Sequence, residues 1–440
     1  MEFKKRFKIS SFQWILIGFA LLILFGSLLL VFPFSSKSRS WTSFTDALFT
    51  STSAVCVTGL IVFDTASYWS IFGQIVILIL IQIGGLGVIV VAISLALITG
   101  KKIGLAERDI IKEAISAPEI GGVMKMVKFI ITSVAIIELA GALIMLPVFC
   151  HDYGWIGIWY AIFHSISAFC NAGFDILGTT GYASLTFYSA NAIINIVIML
   201  LIILGGIGFF VWNDFVKYKF HFTRYRLQSK VVLIVSLFLI FVPAIYFFIC
   251  EFSDKALGER ILLSLFQSVT TRTAGFNTAN LQVMSHIGVA IMIGLMLIGG
   301  SSGSTAGGMK TTTFAVLFFS TISVFRRKKE TVVMKRRIDD SIVRSASAIF
   351  LMYMGLFIIS GLIISGIEGI KLADCLFETA SAIGTVGLSL GITSTLSVPS
   401  KFILILLMYI GRAGGLTFIY ATFGSSIQQA NYPLEKIMVG

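Results

Sequence analysis

Long apolar stretches with few charges recur along the chain, at roughly 13–34, 70–99, 123–149, 186–212, 231–250, 285–325, 345–366 and 402–424. A membrane-crossing helix needs about 20 apolar residues, so the pattern predicts eight spans. The run 285–325 is too long for one straight helix, because about 40 helical residues would reach about 60 Å. It is expected to bend or break inside. Between the two members of each successive pair lies a shorter, mixed segment: 42–60, 155–174, 258–276 and 371–389. These four are rich in Ser, Thr, Phe and Gly. The first run, Ile9 to Ser36, has no charge and no small-residue cleavage site. It reads as a first transmembrane helix rather than a signal peptide.

Charge sets the topology. Lys4, Lys5, Arg6 and Lys8 precede the first span, and Lys101, Lys102, Arg108 and Lys112 follow the second. Lys217, Lys219, Arg224, Arg226 and Lys230 follow the fourth, and Arg326, Arg327, Lys328, Lys329, Lys335, Arg336 and Arg337 follow the sixth. Positive clusters favour the cytoplasmic side. All four can lie there only if an even number of crossings separates them. The short segments are therefore expected to dip in and return, with both chain termini cytoplasmic.

The short segments also align with one another. Phe49, Phe163, Leu265 and Phe377 each stand ten positions before a glycine: Gly59, Gly173, Gly275 and Gly387. Leu or Phe follows each glycine. Ser stands six positions before three of them. The glycines are 114, 102 and 112 residues apart. Further glycines follow at Gly84-Gly85-Leu86-Gly87, Gly205-Gly206-Ile207-Gly208, Gly299-Gly300 and Gly411-Arg412-Ala413-Gly414-Gly415, where helix packing or bending is expected. The chain thus reads as four copies of span, re-entrant segment, span. The expected units are 1–100, 101–222, 223–338 and 339–440.

Irregular backbone at membrane depth is tolerated only inside protein or beside a water-filled cavity. A short helix ending near the membrane centre aims about half a negative charge at the middle. The returning chain can line an axis with carbonyls, and glycine permits the positive φ this requires. Rings of carbonyls replace the hydration shell of a potassium ion. The expected fold is an all-α polytopic membrane protein, pseudo-fourfold around one central pore. The expected ion ligands are carbonyls of Val57, Thr58 and Gly59; Asn171, Ala172 and Gly173; Thr273, Ala274 and Gly275; and Thr385, Val386 and Gly387.

Inside the sixth span, Gly299, Gly300, Ser301, Ser302, Gly303, Ser304, Thr305, Ala306, Gly307 and Gly308 cannot continue a helix cheaply, since each Gly costs about 1 kcal/mol against Ala. The stretch 298–309 is expected to form a flexible gate below the carbonyl rings; a passive hinge is the plainer alternative. Gly303 to Thr311 imitates a phosphate-binding loop, but Met309 puts the spacing out by one. Arg412 stands in an otherwise charge-free span, where a charge usually faces a pore or a partner. It is expected beside the gate. Lys310 would act similarly or extend toward the cytoplasm, the latter favoured. Glu138 is expected to make an interhelical hydrogen bond, with an ion- or proton-coupling site as the sharper alternative. Asp46 and Glu378 would either attract cations at the outer mouth or bond filter amides. Arg272 would brace the filter from behind. Cys56 and Cys170 read as packing residues.

Composition agrees. Of the 440 residues 57% are hydrophobic and only 12% charged, which disfavours a water-soluble enzyme. The net charge of +12 clusters between apolar runs, so it marks membrane orientation rather than nucleic-acid binding. The five cysteines show no metal or disulfide spacing.

At Thr58-Gly59-Leu60, Asn171-Ala172-Gly173-Phe174, Thr271-Arg272-Thr273-Ala274-Gly275-Phe276 and Gly384-Thr385-Val386-Gly387-Leu388, the chain resembles the Ktr/Trk/HKT superfamily of potassium transporters, KtrB-type membrane subunits above all. Gln82 to Gly87, Gly100 to Leu105 and Ile410-Gly411-Arg412 extend the match. The resemblance implies K⁺ uptake across a bacterial cell membrane, with no covalent chemistry. It implies a membrane homodimer on a separately encoded cytoplasmic ring of RCK-type subunits. Nucleotide would bind only that ring, which would control the gate loop. Gly59, where some sodium-selective plant members carry serine, favours K⁺. Na⁺ as an activator, and a Na⁺-permeable or ion-coupled symporter on the same scaffold, stay as alternatives. The basic loops 101–128, 214–230 and 326–344 would meet the partner ring, anionic lipid, or both. The tail 431–440 would contribute to dimer or ring contacts.

Overall fold

The computed structural model describes residues 10–88, 90, 91, 113, 123–178 and 184–423. The basic clusters at the N-terminus and around 101–112, and the tail 431–440, lie outside the described residues.

Among the described residues, four helices are long and apolar enough to cross a membrane unbroken. They are α1 (Ser11–Val31), α4 (Val123–Tyr153), α8 (Leu227–Tyr246) and α12 (Asp340–Glu368). They are the first spans of the four expected pairs. A capping box starts α1: Ser10 Oγ accepts from Gln13 N at 3.2 Å, and Gln13 Oε1 accepts from Ser10 N at 3.0 Å. Each long helix is followed by a short one: α2 (Phe44–Val55), α5 (Gly157–Phe169), α9 (Leu257–Thr270) and α13 (Leu372–Gly384). At 12–14 residues these reach about 18–21 Å, well short of a hydrocarbon core of about 30 Å. They fold back on the long helices. Ser165 Oγ, for example, donates to Glu138 O at 2.6 Å.

The second spans differ from the expectation of single helices. They are α3 (Ile71–Leu86), α6 with α7 (Ala192–Ile207, Phe209–Tyr218), α10 with α11 (His286–Leu297, Thr311–Phe325), and α14 with α15 (Val398–Ala413, Gly415–Phe423). The break in 285–325 was foreseen outright, while the other glycine clusters were expected to pack or bend helices. The other breaks fall at Gly87, Gly208 and Gly414, with φ of +90°, +99° and +86°. These values leave the right-handed helical region and suit only glycine. The α6–α7 bend is 95°.

Three residues before each bend stands a packing glycine: Gly84, Gly205 and Gly411. A Cβ on any of them would overlap a carbonyl at the end of a short helix, Val55 O, Phe169 O or Ile383 O respectively. Packing and bending are thus separate jobs within each glycine cluster. A two-stranded hairpin, β1 (Thr331–Val333) with β2 (Arg336–Ile338), joins α11 to α12.

Overpacking a tight contact costs about 1–3 kcal/mol. Gly205→Val is expected to lower the unfolding temperature in detergent measurably. Gly355→Ala, on α12 with open space around it, is expected to leave it unchanged or raise it. Equal effects of the two would contradict the packing role.

Candidate functional site

The four short helices end at one place. Within three residues of each helix end, a residue other than glycine adopts positive φ: Val57 (56°), Asn171 (60°), Thr273 (70°) and Thr385 (52°). Three of these are β-branched, for which left-handed backbone is strained by about 1–3 kcal/mol. Two residues later come Gly59 (+92°), Gly173 (+69°), Gly275 (+79°) and Gly387 (+95°). The residues between them, Thr58, Ala172, Ala274 and Val386, are not of positive φ. Backbone that alternates in hand in this way turns successive carbonyls toward one side, where a regular strand would alternate them.

The four loops form a closed circuit. A Cβ added to Gly59 would lie 2.5 Å from Ala172 O, and one on Gly173 would lie 2.7 Å from Ala274 O. On Gly275 it would overlap Val386 O, and on Gly387 it would overlap Thr58 O. Each glycine thus abuts the carbonyl one residue before the next glycine, and the fourth closes on the first. The structure brings together all twelve expected ligand residues.

Hydroxyls hold the loops from behind. Gly59 N donates to Ser53 Oγ at 3.0 Å and Gly387 N to Ser381 Oγ at 2.9 Å. Ser167 Oγ instead donates to Phe174 O at 2.7 Å, and Thr270 Oγ1 to Phe276 O at 2.5 Å. In the third segment the bracing hydroxyl stands one residue closer to the glycine. Thr270, five positions before Gly275, stands in for the serine that the other three segments carry six positions before their glycines. Phe266 is fully buried where Leu265 was expected to match Phe49, Phe163 and Phe377. Asn171 and Thr273 meet at 3.1 Å.

Below this ring lies the unwound stretch between α10 and α11. A Cβ on Gly307 would overlap Thr385 Oγ1, and Thr305 Oγ1 donates to Phe169 O at 3.1 Å. Gly308 N donates to Gly411 O at 3.1 Å, Ser301 N to Gly206 O at 2.9 Å and Thr305 N to Gly205 O at 3.2 Å. Arg412 donates to Thr305 O, to Gly84 O and, at 2.8 Å, to Gly85 O. The expected gate residues 299–308 and Arg412 are therefore in contact. Ser302, Gly303, Ser304, Ala306, Gly308 and Arg412 border a cavity of about 230 Å³ that also touches Phe209 and Tyr353. Lys310 corrects the favoured expectation. Its ammonium turns back onto Ala306 O at 2.7 Å, because the unwound loop offers carbonyls nearer than water.

Glu138 makes the interhelical hydrogen bond, accepting from Gln82 Nε2 at 3.1 Å. Arg272 Nη2 donates to Ser236 Oγ at 3.1 Å, on α8. Glu378 is fully buried and accepts from Ser389 and, at 3.0 Å, from Thr393. Asp46 pairs with Lys401 Nζ at 2.8 Å, both nearly buried, and so joins α2 to α14. Neither role expected of Asp46 described this pairing. Asp175, two residues beyond Gly173, was overlooked. Burial, with the Asp64 carboxylate facing it, pushes its carboxyl up to about 6. Cys56 and Cys170 are fully buried.

The cation transport protein model, the TrkH family, matches residues 11–430. The chain belongs to the TrkH family of cation transport proteins. It is similar to the potassium/sodium uptake protein NtpJ of Enterococcus hirae, 40% identical over 100% of this chain and 99% of that one. It is 41% identical to Ktr system potassium uptake protein B of Bacillus subtilis, covering 97% and 96%. The solved structure of the potassium transporter TrkH from Vibrio parahaemolyticus shares its fold, with a TM-score of 0.75 and 20% identity, over 96% of this chain and 86% of that one. This TrkH-family chain is a multi-pass membrane transport protein and not an enzyme.

Removing one partner of a buried ion pair costs about 3–5 kcal/mol, because the other charge is stranded. Asp46→Ala and Lys401→Ala are each expected to destabilise the TrkH-family chain in thermal unfolding. The double replacement should lose less than the two singles together; strict additivity would show that the pair is not coupled.

Proposed function

We propose that the chain takes up K⁺ through the ring of carbonyls from Val57–Gly59, Asn171–Gly173, Thr273–Gly275 and Thr385–Gly387. The observation that carries this is the closed glycine-to-carbonyl circuit, which leaves no room for a side chain. Four short-helix C-termini aim partial negative charge at it, and no covalent chemistry is needed. The names of the relatives, potassium uptake proteins from several bacteria, support K⁺ as cargo. The units 1–100, 101–222, 223–338 and 339–440 would each contribute one quarter.

The stretch 298–309 is the gate in this reading, and Arg412 is its latch. Opening requires the loop to leave Thr385, Phe169 O and the glycine carbonyls. Control would come from a cytoplasmic nucleotide-binding RCK-type ring meeting the basic loops, with a second copy of this chain beside it in a bacterial cell membrane and both termini cytoplasmic. The Ktr-system names of relatives support a multi-component assembly. Anionic lipid is the other expected neighbour of these loops.

One relative is named a potassium/sodium uptake protein, which favours keeping Na⁺ as a second cargo or activator. Flux of K⁺, Rb⁺ and Na⁺ in liposomes, with and without a pH gradient, separates these readings. In cells lacking potassium uptake, the wild-type chain is expected to restore growth at low K⁺. Gly→Ser at 59, 173, 275 or 387 is expected to abolish rescue or admit Na⁺. Full rescue by all four variants would overturn the filter.

Arg412→Ala frees three carbonyl acceptors. It is expected to change K⁺ flux several-fold and weaken its dependence on the partner ring. Unchanged rates and unchanged dependence would refute the latch.

A further inference from the structure

The segment between α1 and α2 departs from the charge bias of the molecule. In the sidedness argued above it lies on the outer face, yet it carries Lys37 and Arg39 with no carboxylate alongside. Lys371, at the start of α13, also has no ion pair among the described residues, but three other cations on that face are engaged. Lys255 lies 3.9 Å from Asp254, Arg260 donates to Phe248 O at 2.6 Å, and Lys401 pairs with Asp46. Among the described residues, neither Lys37 nor Arg39 has an ion pair.

The backbone that presents them is fixed. Ser36 Oγ donates to Ser40 O at 2.9 Å and accepts from Ser40 N at 3.1 Å. Lys37 N donates to Tyr68 O at 2.9 Å, and Ser36 bridges Trp69. Arg39 itself sits at φ 53°, a left-handed conformation uncommon for a long side chain. Two unpaired cations are thus held by a braced and strained loop.

Beside them lies an open groove of about 820 Å³, with no acidic residue in its wall. Its rim is aromatic. Phe32 and Phe34 stack at 5.3 Å, Trp41 tilts against Phe32 at 5.6 Å, and Trp41 is 67% exposed. Exposed aromatic rings at the end of a spanning helix mark headgroup depth. Cations at that depth meet lipid phosphate.

We infer that this groove binds one anionic phospholipid of the outer leaflet, with its uncompensated phosphate on Lys37 and Arg39 and its glycerol backbone and upper acyl chains against Phe32, Phe34 and Trp41. The assignment rests on the sidedness proposed above but not on the pore. Each cation near a surface contributes enough that losing both weakens binding about 30-fold.

The test uses the full chain in detergent, titrated with phosphatidylglycerol or phosphatidylcholine and read by native mass spectrometry. Lys37→Gln with Arg39→Gln is expected to lose about 30-fold in phosphatidylglycerol affinity and to bind phosphatidylcholine as before. Lys37→Arg with Arg39→Lys should retain binding, and Lys328→Gln with Lys329→Gln should retain this lipid. Unchanged affinity in the first variant, equal loss in the last, or displacement by inorganic phosphate would each overturn the assignment. K⁺ flux, measured after the same variants are reconstituted into liposomes, reports on the pore separately. Selective lipid loss with normal flux supports the lipid site and leaves the pore reading intact; absent flux with normal lipid binding sinks the pore reading alone.

Discussion

A carbonyl released inside a membrane must find a donor, and the centre of this molecule is organised around that requirement. A helix that stops at depth frees its last carbonyls, and in hydrocarbon each unmet group costs several kcal/mol. All four second spans stop at depth. Gly84 O and Gly85 O are met by Arg412, Gly205 O and Gly206 O by Thr305 N and Ser301 N, and Gly411 O by Gly308 N. Gly300 O is met by Thr311 N at 3.1 Å. One unwound stretch and one guanidinium therefore serve the broken ends of all four. The loop is tied rather than free, because its Ser301 N, Thr305 N and Gly308 N already have acceptors on α6 and α14.

Closing a ring from one linear chain leaves one seam with no peptide link. Here it is the seam between the last span and the first. Lys401 to Asp46, Tyr409 Oη to Leu16 O at 2.7 Å and Gln13 Nε2 to Ala421 O at 3.2 Å cross it. Arg412 reaches across it lower down. The only ion pair between two nearly buried side chains distant in sequence, among the described residues, lies at this seam. Charge does there what chain connection does elsewhere.

The architecture was legible because glycine requirements repeat. Gly59, Gly173, Gly275 and Gly387 align by eye, and the excessive length of 285–325 announced its own break. The bends at Gly87, Gly208 and Gly414 were harder to read. Nothing in a glycine cluster says which member packs and which turns, until the spacing of three is set against the short-helix ends. The third loop misled for a related reason. Alignment on Gly275 paired Leu265 with Phe49, but a register one residue shorter from the helix positions to the glycine turns the helix by about 100°, so Phe266 faces inward. Asp46 with Lys401 was not readable at all, since 355 positions separate them. Lys310 was misread because snorkelling assumes water is the nearest acceptor, and an unwound loop supplies its own.

The same carbonyl accounting constrains how the pore reading could work. If the stretch 298–309 withdraws, Gly205 O, Gly206 O and Gly411 O lose their donors at once, while Arg412 loses Thr305 O. A dry cavity would make that state prohibitively costly. Water or a partly hydrated cation entering from below would satisfy those same oxygens. Opening and wetting are then one event rather than two. On the proposed reading the closed loop would compete with the permeant ion's hydration shell for a shared set of acceptors, and its equilibrium would be set by hydrogen bonds numbering a handful. An equilibrium of that size is one that a contact made outside the membrane has enough free energy to shift.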